Sequence, residues 1–250
     1  MRITRILSGC LAPVTAIVVL AGCDEPASPD AGLANEESAA DAFDLSAVQG
    51  PMVPFADLVM FFEFNSTDND LGVQVMLDAE GWNLITAESP DRRNILHITA
   101  RNELGSLGIT ELRFESAEPS PAGVLRRFPP GAYHFRGLTV ERGGVLDGVA
   151  MLSHDIPTAP VMSPEDGAAD IDPANTIIAW NAIPGLAGFE VIVANEDTGR
   201  SMTVELGPDA TMLRVPAEFM EPDTDYKAEV LAIHTNGNKT ITEATFSTGS

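Results

Sequence analysis

The sequence predicts an all-β fold made of two tandem antiparallel β-sandwich domains. Apolar and polar residues alternate along short segments of the 250-residue chain, as they do in strands that are buried on one face. Turn residues interrupt these segments throughout, with 21 glycines and 18 prolines in the chain. No stretch of ten or more residues carries a clean helical repeat. At 44% hydrophobic residues, the composition supplies enough apolar side chains for packed cores.

Residues 1–22 have the pattern of a secretory signal peptide. Arg2 and Arg5 precede an apolar run of about 15 residues, which is short for a membrane-spanning helix. The run ends at Leu20-Ala21-Gly22-Cys23, which resembles the lipobox of bacterial lipoproteins. In that family the cysteine is acylated, by palmitate among other chains, and becomes the mature N-terminus. The resemblance therefore implies lipidation of Cys23, and an ordinary signal peptide that happens to precede a cysteine is the alternative.

Cysteine usage agrees with a lipid anchor. The chain has two cysteines, and Cys10 lies inside the segment that would be removed. Cys23 is then the only mature thiol, so no disulfide within the mature chain is expected and core packing alone must hold the fold. We expect an exported protein of the bacterial cell envelope, anchored to a membrane by its N-terminal lipid.

Residues 23–50 are predicted to form an acidic disordered tether. Seven acidic and no basic side chains occur between residues 24 and 50, and Ala, Ser, Gly and Pro fill most of the rest. Such a segment buries too little apolar surface to offset the entropy of ordering it. Repulsion between its like charges is expected to extend it and to hold the folded part away from an anionic membrane. A short helix around residues 36–43 is the alternative.

An N-terminal β-sandwich domain of unknown type is predicted over residues 51–157. Its clearest strand places four apolar residues on one face, namely Leu71, Val73, Val75 and Leu77. A second strand turns Thr110, Leu112 and Phe114 to one face. Turn signals recur at short intervals, which is typical of a sandwich. The Pro157-Thr158-Ala159-Pro160 segment marks the predicted end of this domain.

The predicted second domain, residues 158–250, has a more specific pattern. A β-type run ends at Trp180, and a Met-x-Pro-x-x-x-Tyr corner, with Pro222 and Tyr226, precedes a strand of small residues. On these residues the segment resembles a fibronectin type III domain. The resemblance implies a buried Trp180 and a corner in which the hydroxyl of Tyr226 bonds back to the preceding backbone.

This resemblance has two departures from the family pattern. Phe189 stands where the family often has tyrosine, and the chain lacks an Arg-Gly-Asp motif, so integrin-type adhesion gains no support. Another seven-stranded sandwich of the immunoglobulin class is the alternative fold.

The search for catalytic motifs favours a protein that is not an enzyme. The Gly-x-Ser-x-Gly, His-Glu-x-x-His, Walker A and Gly-x-Gly-x-x-Gly patterns are all absent. Adjacent residues on a strand face opposite ways, so Ser153-His154-Asp155 is predicted to end a strand rather than to form a triad. Four scattered histidines, His134 among them, supply no zinc-binding pattern. A glycosidase-type carboxylate pair remains open, since such pairs meet only in three dimensions.

One acidic segment, residues 65–72, is a candidate calcium site. Its carboxylates Asp68 and Asp70 are oxygen ligands of the kind that calcium prefers. The segment does not fit the EF-hand template, because Ala79 occupies the twelfth position counted from Asp68. A plain β-hairpin turn explains the same residues, since Asn and Asp tolerate left-handed backbone. No other cofactor is predicted.

Net charge restricts the possible partners. The chain carries 37 acidic and 14 basic residues, a formal charge of −23, which excludes a nucleic-acid-binding surface of the usual basic kind. We expect a non-enzymatic envelope lipoprotein that acts as a binding module towards an envelope protein or polysaccharide. A glycan-active protein with a fibronectin-like spacer is the alternative, and an exposed Trp82 would favour it. A purely structural spacer is a third possibility.

Overall fold

The computed structural model describes residues 48, 50–141 and 143–250. The predicted signal peptide, Cys23 and nearly all of the predicted tether lie outside the described residues. In the described part of the chain, no helix combines the length and the apolar character needed to cross a bilayer.

More than half of the described residues lie in strands, which confirms the predicted all-β fold. Two short helices, α1 (Asn102–Leu107) and α2 (Pro121–Arg127), interrupt the strand order and were not predicted. The strands of the N-terminal half are β1 (Met52–Pro54), β2 (Asp57–Asn65), β3 (Asp70–Glu88), β4 (Asn94–Thr99), β5 (Ile109–Glu115), β6 (Gly131–Thr139) and β7 (Val145–Leu152). Those of the C-terminal half are β8 (Met162–Ser163), β9 (Ala168–Ile171), β10 (Ile177–Trp180), β11 (Leu186–Asn195), β12 (Ser201–Leu206), β13 (Met212–Arg214), β14 (Asp225–His234) and β15 (Lys239–Thr248).

The N-terminal half is organised around β3, a strand of 19 residues. Its first part pairs antiparallel with β2 and β5, and its second part pairs with β4 and β6. The pairing register shifts between Asp78 and Trp82, where the strand passes from one set of partners to the other. β7 continues the second set beyond β6, and β1 adds to β7 in parallel.

The core of the N-terminal half lies on the face that the apolar alternation of β3 predicts. The predicted inward residues of β3 are at most 3% exposed. Aromatic side chains complete this core, and the largest fully buried ones are Trp82 of β3, Phe62 of β2, and Tyr133 and Phe135 of β6. Each buried aromatic side chain of this kind removes roughly 150–250 Å² from water, so these residues dominate the packing energy.

The C-terminal half is a sandwich of seven strands, with β9 as an eighth strand paired to β15. A three-stranded sheet, β13-β10-β8, and a four-stranded segment, β15-β14-β11-β12, enclose one apolar cluster. Ile178 and Trp180 contribute from β10, and β11 and β14 contribute alternate residues, as the sequence predicts. The buried residues of the two strands are Phe189, Val191, Val193, Ala228, Val230 and Ala232.

The two halves share one sheet. Strand β15 of the C-terminal half pairs in parallel with β2 of the N-terminal half, from Lys239 opposite Glu63 to Ile241 opposite Asn65. The described residues accordingly form one compact unit. Parallel pairing was not predicted, and it also occurs between β1 and β7 and between β9 and β15. The predicted boundary at residue 157 separates the two apolar clusters along the sequence and stays a prediction as a domain boundary.

A buried asparagine closes the contact between the halves, which we call the junction. Asn238, at 1% exposure, lies in the turn between β14 and β15. Its Oδ1 accepts a hydrogen bond of 2.8 Å from the backbone N–H of Phe62. Its Nδ2 donates to the backbone oxygens of Ser153, at 2.9 Å, and Asp155, at 2.8 Å. One side chain thus satisfies three backbone groups of the other half.

Candidate functional site

The predicted calcium segment forms the turn of the β2–β3 hairpin. The side-chain oxygen of Asn65 accepts hydrogen bonds from the backbone N–H groups of Thr67, at 2.9 Å, and Asp68, at 3.3 Å. Asn69 adopts a left-handed φ of 57°. Both features are those of an Asn-rich turn that satisfies its own backbone.

Asp68 and Asp70 lie at this turn, but the structure does not gather a metal shell around them. Asp78 pairs with Asp57 at the far end of the hairpin, so it does not join them. Among the described residues, no group of three or more His, Cys, Asp or Glu side chains is arranged to hold a metal ion. Calcium binding at Asp68 and Asp70 therefore stays a prediction.

Asp70 belongs to a different arrangement that sequence analysis missed. The arrangement is centred on Glu118, whose carboxyl feels the charges of Glu115 of β5, Asp70 and Glu63 of β2, and we call these four residues the carboxylate cluster. Two of them lie over the backbone of Gly72, where an added Cβ would stand 3.1 Å from Glu118 Oε1 and 3.5 Å from Glu115 Oε1. The close approach explains why a residue without a side chain occupies this position.

Burial and mutual repulsion shift the titration of the carboxylate cluster. Burial, and then the charges of Glu115 and Asp70, raise the pKa of Glu118 to about 7. Burial also raises the pKa of Asp70, with the charge of Asp68 adding to it. The pKa of Glu63 is raised by burial as well, and the nearby charge of Lys239 offsets part of that rise.

Ser153-His154-Asp155 has a structural role in the junction. The hydroxyl of Ser153 accepts a hydrogen bond from the backbone N–H of Asp155, at 3.0 Å. His154 Nε2 lies 2.8 Å from the backbone oxygen of Phe128, and its ring is 5.8 Å from that of Phe62. The side chains of Ser153 and His154 thus bond to backbone groups, as expected for a segment that ends a strand.

Of the residues assigned structural roles, Trp180 and Tyr226 lie in the core of the C-terminal half, and Pro222 is exposed. Trp180 is 5% exposed, and its ring centroid is 5.2 Å from that of Phe189. The hydroxyl of Tyr226 accepts a 2.7 Å hydrogen bond from the backbone N–H of Glu221. Pro222 lies next in the same corner, where its backbone oxygen accepts a hydrogen bond from the hydroxyl of Thr224.

Trp82 is fully buried in the core of the N-terminal half. It therefore offers no exposed ring on which a sugar could stack. Close to this core lies a cavity of about 70 Å³, lined by nine apolar side chains and Ser116. A space of this size with an apolar lining is an ordinary packing defect. Apolar cavities of this kind stay dry unless a small apolar molecule fills them.

One open depression on the surface of the described residues is a groove of about 450 Å³ lined mainly by polar residues, which we call the arginine groove. It lies on the outer face of β3 and β6, together with the turn that follows β3. Its lining residues are Glu88, Ser89, Pro90, Arg92, Ala132, His134 and Arg136. Sequence analysis treated His134 as isolated, because Arg92 lies some forty residues away in sequence and reaches it only through strand pairing.

The two arginines of the groove differ in their surroundings. Arg92 is exposed in the turn between β3 and β4, at a left-handed φ of 63°. Arg136 lies on β6 and forms an ion pair with Asp147, with 3.5 Å between its Nε and Oδ1 of the carboxylate. The buried Nε has no hydrogen-bond partner among the described residues. A neighbouring arginine, Arg93, is paired with Asp91 at 2.7 Å. Arg92 therefore keeps exposed donors, whereas the Nε of Arg136 is buried beside Asp147.

Comparison with known proteins identifies similar folds only. No protein-family model matches the chain, and no curated protein matches it. The three fibronectin domains FN1–FN3 of chicken CNTN1 are 13% identical, with 79% of this chain and 68% of that chain covered, at a TM-score of 0.37. A two-domain fibronectin type III segment of chicken tenascin is 10% identical over 80% of this chain and 100% of that chain, at 0.32.

A single fibronectin domain of the human collagen alpha-1(XX) chain is 19% identical, with 39% of this chain and 89% of that chain covered, at a TM-score of 0.31. TM-scores of this size carry no argument about function. The C-terminal half is fibronectin type III-like in its two facing sheets and in its tyrosine corner.

Proposed function

We propose that this protein is a non-enzymatic binding module of the bacterial cell envelope, held at a membrane by a lipid on Cys23. The observation that carries the binding role is an open, polar groove on a rigid sheet. Binding sites on β-sandwiches depend on a rigid scaffold that presents exposed groups. The arginine groove has such a scaffold, because both of its strands are paired on each side.

The rival role, a glycan-active protein with a fibronectin-like spacer, has less support. Its sequence argument depended on an exposed Trp82, and that side chain is core. The carboxylates that the structure does bring together, those of the carboxylate cluster, neighbour one another closely enough to raise the pKa of Glu118. Glycosidases instead hold two carboxyl groups on opposite sides of an open cleft, about 5–5.5 Å apart in retaining enzymes and roughly 6.5–9.5 Å apart in inverting ones.

Replacement of the anchor residue tests the location. We expect Cys23→Ala to release the protein from membranes or to leave its precursor unprocessed, because the sulfur that carries the lipid is lost. Cys10→Ala is the matched control, since it removes the other cysteine and should leave membrane attachment intact. Intact-mass analysis that finds an unlipidated mature chain starting at another residue would overturn the anchor.

Turnover measurements separate binding from catalysis. We expect electrophoresis gels that contain a polysaccharide ligand to retard the purified protein. The protein should release no new reducing ends from that polysaccharide. Release of reducing ends in proportion to protein concentration would replace the proposed binding role with an enzymatic one. Loss of that release in Glu118→Gln would assign the chemistry to the carboxylate cluster.

A further inference from the structure

We propose that the open edge of strand β4 binds an extended acidic segment of a partner protein, which adds to the sheet as a further strand. We call this surface the β4 edge, and it is the side of residues Asn94–Thr99 that faces away from β3. This inference rests on the proposed binding role and names a partner class for a surface outside the arginine groove. It is drawn from the strand pairing, the exposed apolar side chains and the charge of the β4 edge.

The two sets of strands around β3 end on the same side of the N-terminal half. Trp82 of β3 pairs with Ile109 of β5 on one side and with Thr139 of β6 on the other. Beyond Trp82, β4 takes the side opposite β6, so it continues the side of β5. Neither β4 nor β5 pairs with a second strand among the described residues. One side of the N-terminal half is therefore bordered by two open strand edges.

Apolar side chains are partly exposed along the β4 edge, where no residue of β4 is fully buried. Leu96 nevertheless lies opposite Ala87 of β3. Ile98 lies opposite Ile85, and both of these β3 residues are 0% exposed in the core. Leu96 also lines the apolar cavity, together with Phe114 of β5. The core is therefore incompletely covered on this side, and the apolar residues of an added strand would cover it.

The backbone of β4 offers hydrogen-bonding groups to an added strand. The N–H of Ala100, just after β4, donates to the backbone oxygen of Asn83 at 2.8 Å. Backbone groups of successive residues alternate between the two sides of an antiparallel strand. Those of Ile98 therefore face β3, and those of His97 and Thr99 face away from it. Extended segments bind such open edges through main-chain hydrogen bonds.

The charge around the β4 edge selects an acidic segment. Residues 92–102 contain three arginines and no acidic residue, in a chain with 37 acidic and 14 basic residues. Two exposed arginines of α2 lie next to them, because Arg93 Nη2 donates to the backbone oxygen of Arg127 at 2.8 Å. Of these five arginines, Arg93 alone forms a salt bridge with a described residue, Asp91. The four that keep their charge available are Arg92, Arg101, Arg126 and Arg127.

The same charges disfavour two other arrangements. Strand β5 carries Glu111 and Glu115 against Arg113 alone, so its open edge repels an acidic segment. A second copy of this chain would bring a formal charge of −23 against an equal charge. A short acidic segment instead places its charge along the β4 edge, where the four available arginines outnumber the flanking carboxylates of Glu88 and Glu103.

The test is titration of the full chain, at low salt, into a dye-labelled peptide of alternating valine and glutamate, followed by fluorescence anisotropy. His97→Pro removes a backbone N–H that faces the added strand and leaves the bonds to β3 in place. We expect at least about 10-fold weaker peptide binding by this variant, with a thermal midpoint close to that of the unmodified protein. Thr203→Pro makes the same change at the open edge of β12, and this matched control should bind the peptide as the unmodified protein does.

Two further measurements do not depend on the proline variant. Saturating peptide should slow the amide hydrogen exchange of His97 and Thr99 in the unmodified protein, and should leave that of Thr203 unchanged, because the β4 edge alone gains a strand. Arg101→Gln should weaken peptide binding roughly 3-fold at low salt, and high salt should remove this difference. Arg214→Gln, which removes an equal charge from the C-terminal half, is the control and should leave binding unchanged.

Other outcomes overturn the inference. Equal binding of a peptide with the same charge and a central proline would show general charge attraction, and equal binding of a valine–lysine peptide would remove the selection for acidic segments. Sedimentation that detects a dimer of the unmodified protein, but not of His97→Pro, would assign the β4 edge to a second copy. Absence of peptide binding, while polysaccharide gels still retard the protein, would overturn the β4 edge and leave the proposed binding role intact.

Discussion

Asn238 illustrates how one polar side chain fixes a contact between two β-rich halves. Its amide has both an acceptor and two donors, so it satisfies the N–H of Phe62 and two backbone oxygens at once. An apolar residue of similar size would fill the same space and leave these three buried backbone groups without partners. Unpaired buried polar groups are expensive, so the asparagine confers specificity on the junction.

Replacement of this residue is the first prediction. We expect Asn238→Ala to lower the free energy of unfolding by about 3 kcal/mol, because it leaves three buried backbone groups unsatisfied. Urea denaturation followed by tryptophan fluorescence measures the change. Asn175→Ala, at an exposed position, is the control and should cost less than about 0.5 kcal/mol. Equal stability of Asn238→Ala and the unmodified protein would contradict this account of the junction.

Glu118 gives the second prediction, which concerns pH. Its pKa is about 7 in the folded protein, against an ordinary value of 4.5. Between these pH values the folded protein holds a proton that the unfolded chain releases, so its stability falls as the pH rises from about 4.5 through 7. In Glu118→Gln the loss of stability over this pH range should be smaller by about 1 kcal/mol. The expected difference is this small because solvent screens a partly exposed carboxylate.

Thermal unfolding at pH 5 and pH 8 measures the difference between the two pH dependences. Glu103→Gln, in the first turn of α1 and outside the carboxylate cluster, should show the same pH dependence as the unmodified protein. A Glu118→Gln variant that loses as much stability as the unmodified protein over this range would refute the assigned direction.

At the scale of single elements, local patterns predicted the structure well. The alternation from Leu71 to Leu77 identified the buried face of β3, and the resemblance to a fibronectin type III domain implied the corner at Tyr226. Both depend on neighbours in sequence, where period and turn chemistry are informative. The bonds of Asn238 to the other half had no such local signal.

Apart from the two short helices, the unpredicted features depend on distant partners. Pairing of β2 with β15 joins residues some 176 positions apart, and nothing in either strand distinguishes it from other alternating strands. The carboxylate cluster and the arginine groove combine residues from separate strands and loops in the same way.

The β2–β3 turn gives the third prediction. Its backbone groups are satisfied by Asn65, so the turn needs no ion to hold its shape. We expect calorimetric titration with calcium to show no heat up to millimolar concentration. The double variant Asp68→Ala/Asp70→Ala is the matched control. Saturable heat in the unmodified protein that the double variant lacks would establish the calcium site instead.

At the scale of the whole molecule, the two halves differ in how much each depends on the other. The apolar cluster of the C-terminal half contains only residues from 162 to 246, so its core is complete without the N-terminal half. The N-terminal half, in contrast, relies on β15 to cover the edge of β2 and on Asn238 to satisfy the N–H of Phe62.

Fragments provide the fourth prediction. We expect residues 157–250 to unfold cooperatively on heating, since about 90 residues with one closed core are enough for an independent domain. Residues 51–156 alone should show no sharp transition or should aggregate, because an uncovered strand edge invites pairing with other chains. Circular dichroism during heating distinguishes these results. A cooperative transition in the N-terminal fragment alone would show that the junction is dispensable.

The shared sheet also has a consequence for the order in which the protein is made. A ribosome delivers β2 long before Asn238 and β15, which follow some 176 residues later. At synthesis rates of about 5–20 residues per second, the edge of β2 waits roughly ten to thirty seconds for its partner. During this interval the nascent chain carries an incomplete N-terminal half, whose final structure forms only after the C-terminal half has been synthesised.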